Sequence, residues 1–236
     1  MSTQAEHKIL LGHRYSQLNV DNQRSTADYP LIIPQEVFAH ARKFEDRPFI
    51  GIYTKYNDRA RLACEALLPL LAKHGTTSIT RYLDIGCGTG AISALVAKLL
   101  KAEAIYLIDG AGEAPRMTGF TEHGSAWNDV FIAMAMVRAN VPNNTVVGGF
   151  YASQPAYPLL ADRIGLITSF RSWGHHYHVE EYVKAVKKHL GVGGLVMLDI
   201  RNGTNGKEVM QRNGFHLLDR VPDTSEKCQR LLYTRT

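Results

Sequence analysis

A single run, Tyr82-Leu83-Asp84-Ile85-Gly86-Cys87-Gly88-Thr89-Gly90, constrains this chain more than any other segment. An apolar strand enters acid-x-Gly-x-Gly-x-Gly, and Ile92, Leu95, Val96 and Leu99 then fall on one face of a following helix. Glycines at such a turn let the backbone bend tightly and approach a ligand without Cβ interference, while the helix start presents unpaired N–H groups. The arrangement builds a nucleotide-cofactor loop. A dinucleotide fingerprint sets its third glycine three residues after the second, whereas Gly90 follows Gly88 by two. A Walker A loop needs Gly-Lys-Ser/Thr, which Gly90-Ala91-Ile92 does not supply. Ala104 to Ile108 form a second apolar run ending in Asp109-Gly110, about 20 residues past the glycines, where a ribose-binding acid belongs. A glycine-rich turn can also be a plain connector, but the strand, the helix and the second acid around this one favour the cofactor reading.

On Asp84, Gly86, Gly88, Gly90 and Asp109 the chain resembles the class I S-adenosylmethionine-dependent methyltransferases, over about residues 80–236. The resemblance implies an α/β, Rossmann-like fold: a seven-stranded, mostly parallel sheet with helices on both faces. It also implies S-adenosyl-L-methionine as cofactor, with Cys87, Gly110 and Ser169 joining the motif residues in its site. Many members carry an acid after the third strand that binds the adenine amino group, and Val146-Val147-Gly148-Gly149-Phe150 has none. Adenine contacts are then expected from backbone around Gly149 and from the Phe150 ring. Upstream, where this class often closes over the donor's methionyl carboxylate, Tyr56 and Arg59 are candidates, although a solvated capping segment explains them as well.

At 236 residues with 45% apolar content, one core is enough. There is no run of about 18 apolar residues, and the start of the chain lacks the cationic-then-apolar layout of a signal peptide, so a cytoplasmic protein is expected. Cys64, Cys87 and Cys228 lie far apart with no CxxC pair, which suggests neither a disulfide framework nor a zinc site. The net charge of +5 is spread along the chain without a run of five basic residues, which reads as solvated surface rather than an RNA-binding face.

From residue 80 onward, strand-like and helix-like segments alternate as in a parallel sheet. The reading is a helix over 127–139 capped by Ser125, a strand over 146–150, a helical turn over 157–160 and a strand over 164–170. A helix near Val179 follows, with Glu180 and Glu181 in its first turn, Lys187, Lys188 and His189 in its last, and Gly191 as its stop. Val179, Tyr182, Val183, Val186 and Leu190 form its buried face. A strand over 195–200, a helix over 207–213 stopped by Gly214, and a closing hairpin of 215–218 with 230–234 complete the pattern. Asp58 is expected to cap a helix running to His74, with Pro69 bending or interrupting it. Residues 1–57 read as an N-terminal helical extension or lid, and 58–236 as the cofactor-binding domain.

Ligands of open α/β sheets sit beyond the carboxyl ends of the strands. There the loop Ser169-Phe170-Arg171-Ser172-Trp173-Gly174-His175-His176-Tyr177-His178 packs three histidines, three other aromatic rings and an arginine into ten residues. Trp173 and Tyr177 can stack on a ring-shaped substrate, and a histidine can accept a hydroxyl proton near neutral pH. These histidines could equally cap the helix at Val179 or pack on Trp173. Amino-methyltransferases acting on adenine or glutamine carry Asn/Asp-Pro-Pro-Tyr/Phe here, so oxygen is favoured over nitrogen as the methylated atom. The Ser-x-x-Ser-Trp-Gly-x-His-Tyr pattern, with Glu181-Tyr182 and Gly193-Gly194-Leu195-Val196-Met197-Leu198-Asp199-Ile200-Arg201, resembles bacterial sugar O-methyltransferases. That resemblance implies a glycan, glycolipid-precursor or nucleotide-sugar acceptor and makes His176, rather than His175, the base; His178 stands where a proline is expected. Metal-dependent catechol-type enzymes need an Asp-Asn pair after the fifth strand, and Asp199 alone matches poorly, so no essential metal is expected. Arg171 and Arg201 either make surface pairs or contact a phosphate or carboxylate of the acceptor. An RNA or small-metabolite methyltransferase is the alternative enzyme, and a noncatalytic subunit is a third reading that the intact motifs argue against.

Overall fold

The computed structural model describes residues 30–43, 48–110, 120, 128–152, 163–221 and 226–235. Its strands are β1 (Arg81–Ile85), β2 (Ala104–Asp109), β3 (Val146–Tyr151), β4 (Ile164–Ser169), β5 (Leu190–Arg201), β6 (Phe215–Val221) and β7 (Cys228–Arg235). They form one seven-stranded sheet in the order β3-β2-β1-β4-β5-β7-β6. β1 to β5 are parallel, and β7 inserts antiparallel between β5 and β6. The chain winds outward from β1 to β3 and then returns to β4 beside β1, so the crevice beyond β1 and β4 is the switch point where ligands of such sheets bind.

The helices are α1 (Gln35–Arg42), α2 (Phe49–Lys73), α3 (Ala91–Leu99), α4 (Val130–Arg138), α5 (Glu180–His189) and α6 (Gly206–Arg212). Alternate strand residues feed two cores. Tyr82, Ile105, Leu107, Leu166 and Met197 belong to the one that includes α1 to α4 residues, and Leu83, Ile85, Ile108, Ile167 and Leu198 to the one that includes α5 and α6 residues. Both faces of the central strands are therefore buried, as the near-continuous apolar runs require. The α5 face of Tyr182, Val183 and Val186, with flanking Val179 and Leu190, is buried as its spacing predicts. Among the described residues no helix is long and apolar enough to cross a membrane.

Three local expectations are corrected. Asp58 does not cap a helix: α2 begins nine residues earlier at Phe49, behind Pro48, and runs on through Pro69 to Lys73. Its buried positions Ile52, Tyr53, Tyr56, Ala60, Ala63, Cys64, Leu67 and Leu71 keep a helical spacing across Asp58. α4 is capped by Asp129, whose side chain accepts a hydrogen bond from the Phe131 N–H at 2.9 Å; Ser125 and the turn expected over 157–160 lie outside the described residues. Gly191 does not stop α5, because Leu190 is already extended and opens β5.

Residues 30–43 also join the core. The Leu31 N–H donates to Asn57 Oδ1 at 2.8 Å, and the Asn140 side chain bonds both the N–H and the carbonyl of Ile32 at 2.7 Å. These two amides satisfy backbone groups that no strand partner serves. Leu31, Ile33, Val37 and Ala41 are thereby packed into the core of the main sheet.

Candidate active site

Gly86, Gly88 and Gly90 follow β1 with φ of 70°, 59° and 79°, a left-handed path that only glycine adopts at little cost. Their surroundings differ. A Cβ on Gly90 would lie 2.6 Å from the Ala133 carbonyl oxygen of α4, and one on Gly86 would overlap the Ser172 hydroxyl. On Gly88 it would meet nothing within 4 Å among the described residues. Gly86 and Gly90 thus admit neighbouring chain, while Gly88 leaves the backbone open to a ligand.

Asp109 at the end of β2 faces this opening. Its carboxylate accepts hydrogen bonds from the N–H groups of Gly88 at 2.6 Å and Gly110 at 2.7 Å. Burial raises its pKa to about 7, against the two amides, which favour the ionised form. The Asn128 side chain, fully buried at the start of α4, donates to the Gly88 carbonyl and fixes the loop from the other side. Sequence reasoning missed Asn128, since nothing local marks it.

Other expected cofactor residues fall deeper. Asp84 is buried and accepts hydrogen bonds from Ser93 of α3 and Thr168 of β4, the latter at 2.8 Å, and burial lifts its pKa to about 6. It ties helix and strands together beneath the loop. Cys87 is buried, and burial pushes its thiol up. The Ser169 hydroxyl, fully buried, donates to the Ile85 carbonyl at 2.8 Å and accepts from the Trp173 N–H at 2.9 Å, so both its roles are used within the fold. Gly149 faces α4, where a Cβ would overlap Met134, while Phe150 is partly buried beside Tyr106. Tyr56 is buried in the core of α2, and Arg59 is exposed on the same helix.

The loop after β4 is built on Trp173. Its ring is fully buried, with Nε1 donating to the Val179 carbonyl at 2.8 Å, and Tyr182 packs edge-on against it. This corrects the expectation that Trp173 offers a face to the acceptor: it anchors the loop. Tyr177 is buried too, its hydroxyl 3.0 Å from Ser172 Oγ. Ser172, the residue that covers Gly86, also accepts at its carbonyl from the N–H groups of His175 at 3.0 Å and His176 at 2.8 Å. One turn therefore joins the histidine pair to the glycine loop.

The two imidazoles meet edge to face, 4.7 Å between centroids. His175 is buried, and its Nδ1 makes no hydrogen bond among the described residues. Burial first, then repulsion from His176, Arg201 and Arg171, lowers its pKa to about 4. His176 is half-buried, and the exposed His178 ring stands edge-on to Phe120 at 4.7 Å. Asp199 of β5 is buried and takes a two-point bond from Arg230 of β7, at 2.8 and 3.0 Å, plus the Arg171 N–H at 3.0 Å. Arg230 also lies over the Phe170 ring at 4.2 Å. It is a site residue that local sequence could not reveal, because only the β5–β7 register sets it opposite Asp199. Asp199 is thus bound up with arginine and does not line a pocket as a free acid.

A doubly wound sheet carrying an open glycine turn and an acid at the next strand end defines a nucleotide-cofactor enzyme of the Rossmann-like kind. The chain belongs to the Methyltransferase domain family, whose profile matches residues 55–225. Its fold is similar to magnesium protoporphyrin IX methyltransferase (ChlM) from Synechocystis PCC 6803 with bound SAM, at a TM-score of 0.53 and 12% identity over 86% of this chain and 92% of that one. It is also similar to N-methyltransferase NodS from Bradyrhizobium japonicum WM9 in complex with S-adenosyl-L-homocysteine, at 0.51 and 12% over 86% and 99%. At such identities the shared property is the fold. No curated protein matches the chain by sequence.

Proposed function

We propose that the enzyme methylates a sugar hydroxyl of a glycan, glycolipid precursor or nucleotide-sugar, with His176 as general base. Its methyl donor is S-adenosylmethionine, which supplies an electrophilic methyl group on a sulfonium. The open face of Gly88 and the Asp109 carboxylate fit the donor's nucleoside. Two of the carboxylate's acceptor positions hold backbone amides and the others can take ribose hydroxyls.

The observation that carries the oxygen reading is the turn at Ser172, which covers Gly86 and carries both histidines. A hydroxyl becomes a better nucleophile as it loses its proton, and a half-exposed imidazole beside the donor loop can accept that proton through a ring nitrogen. His175, brought down to about 4, stays neutral but is a weak acceptor at neutral pH. Its edge-on ring orients His176 instead.

Incubating a panel of sugar, nucleotide-sugar, RNA and amine acceptors with a deuterated-methyl donor tests the reading by mass spectrometry and NMR. Label on a sugar oxygen is expected; label on nitrogen alone would refute it. The same assay is expected to keep its turnover in EDTA. Asp199 is already held by Arg230 and the Arg171 amide, and magnesium prefers a set of hard oxygen ligands. Loss of turnover in EDTA that magnesium restores would revive the catechol-type comparison.

A further inference from the structure

Arg171, the second residue past β4, has a φ of 53°, a left-handed backbone that non-glycine residues rarely adopt. Its N–H is held by Asp199 at 3.0 Å, and Asp199 is itself buried and doubly bonded to Arg230. The fold thus spends a buried carboxylate to hold a strained residue whose own guanidinium is exposed. Strain maintained this way is characteristic of ligand-holding positions. Among the described residues that guanidinium makes no ion pair. On the neighbouring strand end, Arg201 donates its N–H to the Gly174 carbonyl at 2.9 Å and lies over Phe120 at 5.8 Å, again with no carboxylate partner among the described residues.

Among the described residues the local charge does not balance: Arg230 neutralises Asp199, and no described carboxylate pairs with Arg171 or Arg201 next to the His175–His176 pair. The depressed pKa of His175, to which both arginines contribute after burial and His176, reflects the same positive field. Ser172, adjacent to Arg171, covers Gly86, so this cationic corner opens beside the donor loop.

The geometry points to an acceptor that carries an anionic group, a phosphate or a carboxylate, bound by Arg171 and Arg201 beside the hydroxyl to be methylated. Guanidinium suits either group because its fork of N–H donors matches two oxygens at once. The inference rests on the O-methyltransferase reading above and narrows it to acidic sugars or sugar phosphates.

The test measures binding of glucose, glucuronate and glucose 1-phosphate to protein saturated with S-adenosylhomocysteine, by ligand-observed NMR. At least one anionic probe is expected to bind about tenfold or more tightly than glucose, and which one tells carboxylate from phosphate. Arg171→Gln and Arg201→Gln should each remove most of that preference, while Lys188→Gln on the exposed end of α5 should not. Equal binding of all three probes overturns the inference and leaves methylation of a neutral sugar standing. Arginine-dependent anion binding by an enzyme that labels only nitrogen overturns the oxygen reading and leaves the anion site standing. If Arg171→Gln instead weakens S-adenosylhomocysteine itself about tenfold, the arginine holds the donor's own carboxylate and the acceptor assignment falls.

Discussion

His176→Ala is expected to lower turnover by about a hundredfold or more while changing donor affinity by no more than about twofold, since a positioned general base commonly contributes that much. The separation follows from the site. His176 rides on the Ser172 turn above Gly86, whereas the donor contacts proposed at Gly88 and Asp109 are made from β1 and β2. His175→Ala should cost less, because an imidazole already pushed down to about 4 is a poor proton acceptor at neutral pH. Steady-state kinetics with the true acceptor, alongside calorimetry of S-adenosylhomocysteine, reads both quantities. Wild-type turnover in His176→Ala would make the loop a binding element and move the search for a base to His175, His178 and Asp199.

Asp109→Ala should weaken donor binding by roughly 1.5 to 3 kcal/mol, about ten- to 150-fold, the range for losing a charged hydrogen-bond partner. The substitution also releases the Gly88 and Gly110 amides that the carboxylate holds. Part of the loss is therefore loop disorder, and Asp109→Asn, which keeps one acceptor oxygen, should fall between wild type and alanine. The ligand-free protein should respond to pH through the same group. With Asp109 at about 7 in the folded state and 3.8 as the ordinary value, the native protein keeps a proton that the unfolded chain has released. Its contribution to stability is present below about pH 4 and is lost as pH rises through 7.

The strands and their order of use were legible because each is a short apolar run between turn residues, and the β1 loop because glycines at a strand-to-helix junction have few other uses. What escaped depends on distant partners. Asn140 pins Ile32 from 108 positions away, so nothing local showed that Leu31, Ile33, Val37 and Ala41 share the core. α2 begins behind a proline with no capping side chain, which leaves Asp58 as a false start signal. Periodicity assigns a face only inside helices and strands, so it could not say that Trp173 and Ser169, in or beside a loop, turn inward while Arg171 turns out. Arg230 enters the site through the antiparallel β5–β7 register, a pairing that no local pattern encodes.

The central claim, that the glycine turn and Asp109 together hold the donor, is tested most directly by titrating S-adenosylhomocysteine into wild type and Asp109→Asn at pH 6 and pH 8. Ribose hydroxyls donate to the ionised carboxylate, so wild-type affinity should rise as pH passes through about 7, and the asparagine variant should bind more weakly with little pH dependence between the two. Equal affinity of the two proteins at both pH values would remove Asp109 from the donor site and contradict the account.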